Sequence, residues 1–119
     1  MQTSNKVTQH QLQGVSGRPV VALRYTGDIS SASRDAVVGS YEALDKSANP
    51  SVLLDFKGVE YLNSSGIALV IQVLMAAAKV KHTVAICGLT PHFTKVFTMV
   101  GITKYANLYV NEAAALATL

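Results

Sequence analysis

The chain predicts an α/β fold: one domain, residues 1–119, with an open, mixed but mostly parallel sheet of four to five strands and about four helices. Three observations carry this. From residue 20 onward, short apolar runs alternate with longer segments of helical period, the pattern of a parallel sheet built with right-handed crossovers. The apolar runs are rich in Val, Leu and Ile, as strands covered on both faces require. Finally, 119 residues, half of them hydrophobic and 14% charged, suffice for one core but not two.

Taken in order, residues 1–5 are expected to fray. The stretch His10-Gln11-Leu12-Gln13-Gly14-Val15 reads as a polar edge strand, and Ser16-Gly17-Arg18-Pro19 is turn chemistry. Residues 20–26 (VVALRYT) read as a strand, so the chain opens with a hairpin that makes the sheet mixed. Gly27-Asp28 breaks that strand. Ser30 or Ser31 then caps a helix over residues 32–46, with Val37, Val38, Tyr41 and Leu44 at near-helical spacing; Asn49-Pro50 ends it. Residues 51–56 form a short apolar run suited to a central strand. A connector over residues 57–62 follows.

Asn63, Ser64 and Ser65 precede a helix over residues 66–79 that is apolar almost all round, so most of its surface must be covered. Residues 83–87 are a strand. Thr90 with Pro91 behind it starts a helix carrying Phe93, Val96, Phe97 and Val100 inward, and Gly101 stops it. Leu108-Tyr109-Val110 is a last short strand, and Asn111 caps a terminal helix over residues 112–119.

Composition narrows the function. The net charge is +3, but the ten Lys and Arg are scattered and no basic stripe is interleaved with aromatics, which argues against nucleic acid. The single Cys87 cannot form an internal disulfide, so it is expected as a small buried hydrophobe in a cytoplasmic protein. The polar first thirteen residues lack a signal-peptide core. The longest apolar stretch, residues 66–78, is interrupted by Gln72 and falls short of the roughly 20 residues of a spanning helix. A soluble protein with no membrane insertion is expected.

Chemistry is sparse. Ser65 is not in a nucleophile elbow, and His82 and His92 read as surface or capping residues. There is no phosphate-binding lysine motif and no metal-ligand spacing among three histidines and one cysteine. Asp28, Asp55 and Glu60 sit at strand ends and connectors, where acids face solvent or cap turns. The expectation is a protein that is not an enzyme and needs no cofactor or metal.

The Asn63-Ser64-Ser65-Gly66 turn remains. Asn and Ser are favoured helix caps, which accounts for one polar group there but not for three in a row. A helical wheel places Ser65, Leu69, Gln72, Ala76 and Lys79 on one side and Ile67, Ile71, Leu74 and Ala78 opposite, toward the sheet. The outer side is then a nearly uncharged, low-relief face fit for another protein.

At these residues the chain resembles the STAS domains of bacterial anti-sigma-factor antagonists, from about residue 20 to 119. The family's apolar strand ending in Asp, its connector and its Asp-Ser-Ser-Gly-Leu motif have their counterpart in residues 53–67 (LLDFKGVEYLNSSGI). Thr90-Pro91-His92-Phe93, residues 96–102 (VFTMVGI) and an Ala-rich closing helix with Leu116 also match. The resemblance implies that Ser65 is a phosphorylation site. It further implies that an anti-sigma factor, itself a serine kinase, binds the domain; the residues expected to meet it are Ser30, Asn63, Ser64, Ser65, Gly66, Leu69 and Gln72. Phosphorylation would end that binding and a serine phosphatase acting on phospho-Ser65 would restore it.

Two departures are visible: Asn63 stands where the family often has Asp, and Ser30 where many relatives carry an acid. Both neighbours of Ser65 are then neutral. Binding through the turn is therefore a firmer expectation than its phosphorylation. Two alternatives compete: an accessory STAS subunit of an ABC-type lipid transporter, and a hydrolase using Ser65 with a histidine within reach.

Overall fold

The structure is a computed structural model describing residues 6–119, so the expected fraying of residues 1–5 lies outside the described residues. Five strands form one sheet in the order β1 (Lys6–Gln13), β2 (Pro19–Thr26), β3 (Ser51–Gly58), β4 (Thr83–Cys87) and β5 (Asn107–Tyr109). β1 and β2 are antiparallel and every later pair is parallel, the mixed sheet that the sequence predicts. Each strand lies beside its predecessor, so the right-handed crossovers place their helices on one face.

Those crossovers hold a first helical segment, then α2 (Ser64–Lys79), then α3 (Pro91–Met99). The first segment is not the uniform helix expected over residues 32–46. It is a 3-10 turn (Ser31–Ser33), a π-helical turn (Asp35–Gly39) and a single α-helical turn, α1 (Ser40–Glu42). The Ser40 hydroxyl donates to the Ala36 carbonyl one turn back, a bond that bends helices. The end comes early because the Lys46 ammonium donates to the Tyr41 carbonyl and the Asp45 carboxylate accepts from the N–H groups of Ser47 and Ala48.

Other boundaries move by less. β1 spans Lys6–Gln13 instead of residues 10–15, because polar KVTQ carries no alternation and only the hairpin register with β2 defines it. β3 continues through Gly58, and β5 sits one residue earlier than expected. α4 (Glu112–Leu116) stops short of residue 119; the end of the chain folds onto the hairpin turn instead, where Ser16 Oγ donates to the Leu119 carbonyl at 2.7 Å.

The strands have two different faces. Toward the helices, Leu23, Leu54 and Ile86 stand side by side in register, and Phe56 lies between Tyr25 and Phe97 of α3, which it meets edge-on. Each such fully buried side chain contributes about 1.5–3 kcal/mol. Toward α4, small residues make a thinner core: Val20, Ala22, Leu53, Ala85 and Cys87 under Ala115. Cys87 is a buried free thiol, as its sequence context suggests. Among the described residues no helix is long and apolar enough to cross a membrane.

Candidate partner-binding site

The turn before α2 is fixed by two short pieces of backbone. Val59 and Leu62 are buried and pin the connector that leaves β3. Ile29 and Leu62 form a parallel bridge; the Ile29 N–H donates to the Tyr61 carbonyl and the Asn63 N–H to the Ile29 carbonyl, at 3.0 and 3.1 Å. Asn63 is extended, and its side-chain oxygen accepts from the Gly66 N–H at 2.8 Å, the N-cap arrangement expected from sequence. Gly66 is dictated by this packing: a β-carbon there would lie 2.4 Å from the Ile29 oxygen.

Cap and close approach leave Ser64 and Ser65 exposed on the first turn of α2. Their hydroxyls make no hydrogen bond among the described residues, and their backbone N–H groups face outward where the helix dipole is positive. An anion on Ser65 would therefore meet favourable local electrostatics. Ser30 lies beside the turn through Ile29. It is half-buried and already employed, accepting from the Ala32 N–H and donating its own backbone N–H to Ser33 Oγ.

The rest of the expected face requires correction. Leu69 is 6% exposed and belongs to the main core, with Gly66, Val70, Val73, Leu74 and Ala77. Ile67 and Ile71, expected against the sheet, are half-buried at the flank, and Ala78 is exposed. The outward stripe is Ser64, Ser65, Ala68, Gln72, Ala76 and Lys79. A helix apolar on all sides carries almost no phase information. Leu69 lies only 40° around the helix from Ser65, and that rotation is enough to bury it.

Two features escaped the sequence reading. Arg34 is exposed and donates to the Gln72 side-chain oxygen at 2.9 Å, so the face beside Ser65 is less neutral than expected. Nothing in the sequence links residues 34 and 72; the crossover does. On the side toward α3, the half-exposed Tyr61 ring meets Phe93 edge-on at 6.0 Å, and His92 stands against Phe93 at 4.9 Å. The Thr90-Pro91-His92-Phe93 segment was legible, but its meeting with Tyr61 was not.

His82, expected at the surface or at a cap, is instead buried. His82 lies beyond the far end of α2, with Nδ1 bonded to the Tyr41 hydroxyl at 2.9 Å and Nε2 to the Asn49 carbonyl at 2.6 Å. Neutral imidazole satisfies both bonds at once, Nε2–H donating and Nδ1 accepting. Burial accordingly lowers its pKa below the ordinary histidine value. His92 makes its contact with Phe93.

On the opposite face of the sheet a cleft of about 950 Å³ opens at the carboxyl ends of the strands, floored by Arg24, Asp55 and Glu112. Arg24 holds Glu112 through a two-pronged pair at 2.6 and 2.7 Å. That hydrogen bonding keeps the Glu112 carboxyl down at about 2, whereas burial raises Asp55, for which Arg24 stands farther off at 3.9 Å. The group fastens α4 to β2. Of its carboxylates only Asp55 was singled out from sequence. Among the described residues no group of three or more His, Cys, Asp or Glu is arranged to hold a metal ion.

Against known proteins, the family described as "Mlab, STAS domain" matches residues 11–110. An anti-sigma F factor antagonist of Paenibacillus polymyxa is 24% identical over 110 residues, covering 92% of this chain and 94% of that protein. An anti-sigma factor antagonist from Mycobacterium paratuberculosis superposes with a TM-score of 0.77 at 19% identity, covering 95% of this chain and 92% of that one. The anti-sigma factor antagonist SpoIIAA in its unphosphorylated form gives 0.69 at 17% identity, covering 93% and 94%. The Bacillus SpoIIAA in its phosphorylated form gives 0.67 at 18%, covering 92% and 96%.

Proposed function

Because the chain belongs to the STAS domain family, we propose that it is an anti-sigma factor antagonist, a non-catalytic cytoplasmic protein that docks an anti-sigma factor on the Ser64–Ser65 turn and the outer stripe of α2. One observation carries the reading: the Ser65 hydroxyl is exposed and makes no hydrogen bond among the described residues, on a turn held by Asn63 and Gly66. A serine held in this way is open to a kinase, and its modification need not disturb the fold. The relatives' names support the class of partner. This fold also matches SpoIIAA in both of its phosphorylation states.

The switch follows from charge and bulk. A phosphate on Ser65 adds about −1.5 to −2 charges at neutral pH. Within the free domain the N-terminus of α2 receives it well. At an interface closed over a bare serine, the same group must be desolvated against a partner surface of the wrong shape. The kinase is the anti-sigma factor itself, and a serine phosphatase resets the cycle.

The test pairs wild type and Ser65→Asp with a cognate anti-sigma kinase and ATP. Intact mass should show one added phosphate mapping to Ser65, and Ser65→Asp should bind on the order of 100-fold more weakly. Absence of added phosphate together with unchanged binding of Ser65→Asp would sink the proposal. Co-purification with the ATPase of a lipid transporter would replace it with the accessory-subunit reading.

A further inference from the structure

β1 forms one edge of the sheet and pairs only with β2 among the described residues. The Gly14 N–H donates to the Arg18 carbonyl, so positions 14 and 18 form a hydrogen-bonded pair of the hairpin. Bonded and unbonded pairs alternate along an antiparallel ladder. Leu12, His10 and Thr8 therefore bond to β2, while Val7, Gln9, Gln11 and Gln13 turn their N–H and C=O groups away from it. Pro19, which has no N–H, stands opposite Gln13, as this phase requires. No hydrogen bond is made by these outward groups among the described residues.

Sheet edges are normally blunted by proline, bulges or charge. β1 has none of these along its length: its register with β2 is unbroken from Lys6 to Gln13, it contains no proline, and Lys6 at one end is its only charged side chain. Lys6, Thr8, Gln9, Gln11 and Gln13 are exposed. The other rim of the sheet, β5, is three residues long. Head-to-tail stacking of copies therefore lacks a matching edge, and β1 against β1 is the arrangement that closes.

We propose that two copies of this chain pair β1 to β1, antiparallel about a two-fold axis at His10, into one continuous ten-stranded sheet. This register sets Val7 against Gln13 of the partner subunit and Gln9 against Gln11 of the partner subunit. Every outward N–H and C=O of the edge is then satisfied, and a one-pair slip in either direction leaves some bare. The facing side chains are mostly amides; Gln11 Nε2 donates to Asn49 Oδ1 and Gln13 Nε2 to the Gly17 carbonyl within the chain, so the seam is offered chiefly the amide oxygens and the Gln9 amide. β2 separates this edge from β3 and the Ser65 turn, so both docking faces stay open in the pair.

The axis makes a sharp prediction. His10 would meet His10 of the partner subunit at an unbonded pair, where Cα atoms approach to about 4.5 Å, within disulfide range. In the full chain, His10→Cys should form a disulfide-linked dimer under mild oxidation far faster than Thr8→Cys, which would face Leu12 of the partner subunit; Cys87 is buried and does not compete. By light scattering the wild type should run at twice the 12.6 kDa chain mass. Gln9→Pro/Gln11→Pro should run as a monomer with unchanged circular dichroism, because the lost N–H groups point outward. If the proline variant does not fold, Gln9→Lys/Gln11→Lys replaces it. A wild type that stays monomeric at several hundred micromolar overturns the proposal. So does a dimer that survives the edge variants, or one that cross-links equally at positions 8 and 10.

Discussion

A β-carbon at position 66 would stand 2.4 Å from the carbonyl oxygen of Ile29 and 2.8 Å from its carbon, both backbone atoms that have little room to yield. Gly66→Ala should therefore cost about 1–3 kcal/mol in urea unfolding, even though alanine is the better helix former. Asn63→Ala removes the cap on the Gly66 N–H and should cost about 1 kcal/mol, whereas Asn63→Asp keeps the cap and adds a charge that the helix dipole favours. Tyr25 is a third case. Its hydroxyl is buried without a hydrogen bond of good geometry among the described residues, and burial raises its pKa. Tyr25→Phe should leave stability unchanged or raise it by about 1 kcal/mol. Asn63 and Thr90 were legible in the sequence as caps because capping is a local affair of three or four residues. Leu69 was not, since the orientation of α2 depends on Ile29, which is remote in sequence.

Among the elements, the first helical segment departs most from expectation, and tertiary bonds add to the local ones. Its far end is tied down by the bonds from His82 to Tyr41 and Asn49. No period within residues 32–46 reports such partners. Because the folded pKa of His82 lies below its unfolded value, its contribution to stability is intact above about pH 6.5 and is lost as pH falls through the lower folded value. The wild-type urea midpoint should drop on acidification through this range, and the drop should be smaller in His82→Gln. α4 carries the same sign in a lower window. Arg24 depresses Glu112, so the stability it contributes is present above its ordinary value of 4.5 and lost toward about 2. Glu112→Gln should accordingly lower the midpoint at pH 7 and converge with wild type as the pH approaches 2. Asp55, with its pKa raised by burial, acts in the opposite direction and partly offsets that acid loss.

At the scale of the molecule, the fold class was readable because buried strands and amphipathic crossovers alternate from residue 20 onward. Strand order was not: the same alternation fits sheets that grow in both directions from a central strand. Observing β1 to β5 in plain succession explains why the two cores differ so much. One face receives every crossover, while among the described residues the other receives Glu112–Leu116 and the residues after it. Cys87 reports on that second core. Burial pushes its thiol up to about 12, and a disulfide reagent should label it only when α4 leaves the sheet. Labelling of native protein should be far slower than in urea, and Glu112→Gln should accelerate it.

The succession of strands also bears on how the chain is made. During synthesis each new strand meets the exposed edge of the one just completed, so no finished pair has to reopen to admit a latecomer. The helix-covered layer is assembled step by step in this way. The opposite layer stays bare until residues 112–116 emerge, after every strand of the sheet has been made. Until then Val20, Ala22, Leu53 and Ala85 remain wet, and this is the interval in which a nascent copy is most exposed to unwanted contacts.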